Sequence, residues 1–138
     1  MCQDDLVGKS LENKVSEAES HYKEAESVYR RIHSDLGLAN VLQAMGDLLQ
    51  SKEEYFIAID AYKTALSLYK KTSAQMGSAY TASEICYSYA QINDKDNVKH
   101  YADMVEKLCE KLPYENVKTY CYNKVITALM IIMMSVNP

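Results

Sequence analysis

A chain of 138 residues, 48% hydrophobic and 25% charged, has the size of one domain and enough apolar surface for a continuous core. Its net charge of −4, with Lys and Arg scattered along the sequence, argues against a nucleic-acid partner, which calls for a gathered basic face. Few glycines, two prolines and no low-complexity stretch leave a single domain over residues 1–138 with no internal linker.

The amino-terminal stretch MCQDDLVGKS lacks the apolar run of a secretory signal, and residues 1–10 offer little to tie them down, so they read as a frayed lead-in. A cytoplasmic location is expected. The four cysteines, Cys2, Cys86, Cys109 and Cys121, form no C-x-x-C pair and are expected to be reduced and mostly buried. Residues 11–31 read as a lone helix with Val15, Ala18, Tyr22, Ala25, Val28 and Tyr29 inward.

Residues 35–72 then carry two helices of similar length. The first has Leu36, Ala39, Leu42, Met45, Gly46 and Leu49 at steps of three or four, and the second has Phe56, Ala58, Ile59, Tyr62, Ala65, Leu66 and Tyr69. Each set forms one apolar stripe, so each helix has a face to bury. Ser34 or Asp35 is the expected cap of the first helix, and Ser51 with Glu54 fits a capping box for the second. Thr72 with Gln75 fits another box, ahead of a helix with Met76, Ala79, Ala82, Ile85, Cys86 and Tyr89 inward. Asn93-Asp94 makes the next turn, Val98 to Leu112 is the partner helix, and Pro113 ends it, giving a second unit over 74–112.

The last helix, 114–135, differs from the others. VITALMIIMMSV, Val125 to Val136, is apolar nearly all round yet too short to cross a bilayer, so no membrane partner is expected. It closes the stack with one face buried, or its free face, with Met130, Ile131, Met133 and Met134, covers a second copy or further repeats of a longer chain.

The chain repeats itself at forty positions: Ala18, Tyr22, Lys23, Ala25, Ser27 and Tyr29 fall on Ala58, Tyr62, Lys63, Ala65, Ser67 and Tyr69, and Gly37 and Ala39 on Gly77 and Ala79. A fixed period of this size marks units that bury their apolar faces by stacking on neighbours. The pattern Leu42, Met45-Gly46, Leu49, then Ala58, Tyr62, Ala65, resembles the tetratricopeptide repeat (TPR), in the longer variant of kinesin-light-chain-like and Pins-like adaptors and NB-ARC-associated arrays. The second copy departs from it: Cys86 stands at the glycine, and Val98, Ala102 and Val105 replace Ala, aromatic, Ala.

The resemblance implies an all-α, right-handed superhelical stack of antiparallel helical hairpins, an α-solenoid beginning on a second helix. It also implies a concave groove that binds a protein or peptide. The groove positions are Asn40, Gln43 and Asp47, then Tyr80, Ser83 and Tyr87, then Tyr120, Asn123 and Thr127. Each trio is spaced three then four, on one helical face. The chaperone-binding clamp of this family would need Lys and Asn, then Asn, then Lys and Arg at the positions of Gln43, Asp47, Tyr87, Tyr120 and Lys124, and only Lys124 keeps the charge.

No Gly-rich phosphate loop, H-E-x-x-H or G-x-S-x-G is present, so neither catalysis nor a cofactor is expected. Glu17 and His21, one turn apart, lack further ligands nearby and read as a solvated pair. The expected function is a non-catalytic scaffold or adaptor. The alternatives are self-association through the last helix, possible as a homodimer, and a regulatory fragment of a larger protein.

Overall fold

The computed structural model describes residues 3–135, with side chains from residue 10 onward. These residues form six α-helices: α1 Gln3–Arg31, α2 Asp35–Ser51, α3 Tyr55–Lys71, α4 Gln75–Gln91, α5 Lys95–Glu110 and α6 Glu115–Ser135. No strand occurs among the described residues, and no helix is long and apolar enough to cross a membrane. Helix α1 is already formed at Gln3, so the expected frayed lead-in is helical from there on; Cys2 and Val136 lie outside the described residues.

Helices α2 to α6 begin at residues 35, 55, 75, 95 and 115. The turns that set this step are built alike. His33, Glu53, Ser73 and Asn93 adopt φ of 56°, 62°, 57° and 58°. Behind each, the next residue's N–H reaches back to a carbonyl in the last helical turn: Ser34 to Tyr29 (3.0 Å), Glu54 to Leu49 (2.9 Å), Ala74 to Tyr69 (2.8 Å) and Asp94 to Tyr89 (3.0 Å). Together with the bonds from His33, Glu53, Ser73 and Asn93 to the residues three before them, these are Schellman closures, which satisfy carbonyls the helix end leaves free. The fifth turn contains Pro113, whose ring holds φ negative, and it lacks this closure.

The expected capping boxes are not formed. The Ser51 hydroxyl donates to the Leu48 carbonyl and the Thr72 hydroxyl to the Leu68 carbonyl, both in their own helices, while Glu54 and Ala74 occupy the N-cap positions without a side-chain bond. Ser34 does cap α2, accepting from the Gly37 N–H at 3.2 Å, and Asp94 caps α5 from the Asn97 N–H at 3.2 Å.

Each helix packs on the next in sequence, and α4 also packs on α6 and touches α2. Helix α4 is the centre. Its run of small side chains, Ser78, Ala79, Thr81, Ala82, Ser83, Cys86, Ser88 and Ala90, is buried almost all round, which lets α3, α5 and α6 approach it together. The stripes expected on α2, α3 and α4 are buried or half-buried except at their starts: Leu36, Phe56 and Met76, each the second residue of its helix, are exposed at the edge of the packed layer. Val28, on the one helix that packs against α2 alone, is exposed too. Cys86, Cys109 and Cys121 are fully buried, and burial pushes the Cys86 and Cys121 thiols up to about 12.

Candidate binding groove

The helices α2, α4 and α6 line one side of the molecule, and a cavity of about 650 Å³ opens between them. Its walls follow the forty-residue register: Leu36, Met76 and Asn116 are equivalent positions, as are Asn40, Tyr80 and Tyr120. Gln43 and Tyr69 complete the polar lining. The volume falls in the range of about 300–1,000 Å³ typical of ligand sites.

The polar groups are held by one another. The Tyr69 hydroxyl, projecting from α3 between the helices, lies 2.7 Å from Asn40 Oδ1 and 2.6 Å from Gln43 Oε1. A phenol has one proton, so it donates to one amide oxygen while the other amide turns to present its NH₂. Asp47 accepts from two phenols, Tyr62 at 2.5 Å and Tyr80 at 3.0 Å. The Tyr80 and Tyr120 rings stack, centroids 5.4 Å apart and planes 17° from parallel.

The Tyr120 hydroxyl then donates to Glu84 Oε1 at 2.5 Å. Glu84 is a fully buried acid on α4, and its cationic partner is Lys124 on α6, with Nζ 3.6 Å away. The same ammonium sits 4.3 Å from the Tyr87 ring centre, a cation–π contact. Gln50 fastens α2 to α4 by donating to the Ser88 hydroxyl at 3.0 Å.

Burial and the neighbouring carboxylates push these phenols up. Tyr69 rises to about 12 through burial and then Asp47. Tyr62 rises through burial and its bond to Asp47, Tyr80 through burial and then Glu84, and Tyr120 through burial and its bond to Glu84. All four are therefore protonated donors at neutral pH, each aimed at a fixed acceptor.

Of the nine groove residues expected from the sequence, Asn40, Gln43, Tyr80 and Tyr120 line the cavity, and Asp47 meets it through Tyr80. Ser83 does not: it is buried, and its hydroxyl donates to the Tyr80 carbonyl of its own helix at 2.6 Å. Tyr87 lies beyond the cavity under Lys124. Asn123 and Thr127 are exposed and are not part of its lining, and the Thr127 hydroxyl donates to the Asn123 carbonyl of its own helix at 2.8 Å.

Sequence reasoning missed Asn116, Tyr69 and Glu84 as parts of the site and placed Leu36 and Met76 in the core. The signal for Asn116 was present, since it stands forty residues after Met76 and eighty after Leu36. Glu84 carried none, because a single acid in a polar-looking helix reads as solvated. Glu17 is exposed, and His21 lies 3.9 Å from Glu24 instead. Among the described residues no group of three or more His, Cys, Asp or Glu side chains could hold a metal ion. No protein-family model, curated protein or solved structure matches this chain, and the reading of the groove rests on its own geometry.

Proposed function

We propose that this protein is a non-catalytic scaffold that binds an extended peptide segment of a partner protein in the groove between α2, α4 and α6. In this reading the helices are a TPR-like stack of hairpins, α2 with α3 and α4 with α5, and the groove is its concave face. The observation that carries it is the lining. Three amides, Asn40, Gln43 and Asn116, offer donors and acceptors matched to a peptide backbone, beside the stacked Tyr80 and Tyr120 rings and the exposed apolar side chains of Leu36 and Met76. The hydrogen bonds behind these groups hold them in place before a ligand arrives, which lowers the ordering cost of binding.

The test uses peptides selected from a random displayed library on the intact chain and titrated calorimetrically. Met76→Lys with Asn116→Ala alters the lining without disturbing any bond of the tyrosine network. Selected peptides are expected to bind this variant at least tenfold more weakly. Binding that is unchanged would place recognition elsewhere.

A second reading has its own observation. Ile126, Met130, Met133 and Met134 are 52%, 56%, 69% and 73% exposed along α6, an apolar strip of the kind that marks interfaces. Ile131, expected on that strip, instead packs against the core. If the strip drives self-association, light scattering will show a dimer that Met130→Asp with Met133→Asp converts to monomer. A wild-type monomer at high concentration ends that reading.

A further inference from the structure

The opposite layer, α3 and α5, holds a cleft of about 350 Å³ that no part of the groove uses. Lys70 from α3 and His100, Lys107 and Lys111 from α5 line it, with Asp103 as its one acid. The floor is apolar, made by Met104 and Leu108, both half-buried. None of the three ammonium groups is paired with a carboxylate among the described residues, although the neighbouring Lys71 pairs with Asp35 at 3.0 Å and Arg30 with Glu26 at 2.9 Å. Lys70 Nζ reaches across the cleft to the Met104 thioether sulfur at 3.7 Å, a weak acceptor for a full positive charge.

The lysines fall where they do for a local reason. Lys70 is in the last turn of α3, Lys107 in the last turn of α5 and Lys111 at its C-cap, where positive charge complements the helix dipole. Both helices pack on α4, which brings two such ends to one cleft. The result is a net positive concavity on a chain of net charge −4.

We propose that this cleft is a second binding site, for an acidic peptide segment carrying an apolar side chain among its carboxylates. Lys107 and Lys111 stand one helical turn apart, about 6 Å, and Lys70 faces them from the other wall. Charges spread along a cleft fit carboxylates spaced along a chain. A point anion such as phosphate calls for donors converging on one spot, usually backbone N–H groups at a helix N-terminus, whereas helix C-terminal ends stand here. The Met104–Leu108 floor takes the apolar side chain. Charge complementarity guides the encounter, and the apolar contact separates this ligand from acidic chains in general.

The experiment is fluorescence anisotropy with the full chain and four fluorescein-labelled pentapeptides, Glu-Asp-X-Glu-Asp, where X is Leu, Phe, Met or Ser. The proteins are the wild type, a cleft variant (Lys70→Gln, Lys107→Gln, Lys111→Gln) and a charge-matched control (Lys14→Gln, Lys23→Gln, Lys95→Gln). All six lysines are exposed, and circular dichroism checks that each protein keeps its helices. At least one apolar peptide is expected to bind saturably and several-fold more tightly than the Ser peptide. The cleft variant should weaken it at least tenfold and the control less than twofold. Equal losses from the two triple variants, a Ser peptide that binds as tightly, or no saturable binding by any apolar peptide would each overturn the proposal. So would displacement by inorganic phosphate at concentrations where the same amount of chloride has no effect, which would reassign the cleft to a point anion.

Discussion

At the scale of single residues, the packing is governed by tyrosine rings laid on glycines. A methyl group at Gly46 would lie 2.6 Å from Tyr62 Cε1, and one at Gly77 would lie 2.7 Å from Tyr69 Cδ1; Gly37 stands in the same relation to Tyr29. Forty residues on, the sizes are exchanged: Cys86 stands for Gly46 where Ala102 stands for Tyr62, and Val117 stands for Gly77 where Cys109 stands for Tyr69. These two exchanges are therefore paired, a larger residue on one helix matched by a smaller one on its neighbour, as close-packed interiors require. Gly46→Ala is expected to cost about 1–3 kcal/mol in chemical denaturation. In a Tyr62→Ala background the same substitution should cost much less, a coupling of about 0.5–3 kcal/mol. Strictly additive costs would mean that the ring is not what excludes the methyl.

At the scale of the element, helix bodies were legible in the sequence and their ends only in part: the Ser34 cap and the Asn93-Asp94 turn were marked, the closures ahead of α3 and α4 were not. Apolar steps of three and four located α2 to α6 to within a few residues, because burying one face is what makes each helix stable. Of these closures the sequence marked the one at Asn93, in the expected Asn93-Asp94 turn, whereas those at His33, Glu53 and Ser73 escaped because none of the three is the glycine or asparagine that usually signals such a closure. Ser51 and Thr72 fitted the capping pattern but bond back to their own last turns. A β-carbon in the left-handed region costs roughly 1–2 kcal/mol, least for Asn, whose short side chain tolerates it. Accordingly His33→Gly, Glu53→Gly and Ser73→Gly are each expected to stabilise the protein by about 0.5–1 kcal/mol, and Asn93→Gly by less. Thermal melts of the four variants check the order, and destabilisation by all four would refute it.

At the scale of the whole molecule, buried phenols and thiols make stability depend on alkaline pH. In the folded protein Cys86 and Cys121 titrate near 12, as does Tyr69, while Tyr62, Tyr80 and Tyr120 are also raised. In the unfolded chain thiols lose their protons near about 8.5 and phenols near about 10. Above those values the folded state binds more protons than the unfolded state, so stability falls as pH rises. It is expected to be level below about pH 8, to decline gently above it through the thiols, and to decline more steeply from about pH 10 through the phenols. Urea midpoints across pH 7–11 measure this. A midpoint that is flat to pH 11 would mean that these groups are reached by solvent.

What the sequence determined by itself was local and periodic. Helical content, helix order and the forty-residue repeat, with residues 40, 80 and 120 in one register, all follow from side-chain spacing along one chain, which sets which residues share a face. Only the tertiary structure decided which polar side chains on those faces are spent internally. Ser83 bonds its own helix, Asp47 is taken by two phenols from different helices, and Glu84 is buried under Tyr120 and Lys124. It also set Lys70 beside Lys107 and Lys111 across a cleft. The physical reason is that a face is a property of one helix, whereas burial, pairing and unpaired charge depend on what the neighbouring helices bring to the same point in space.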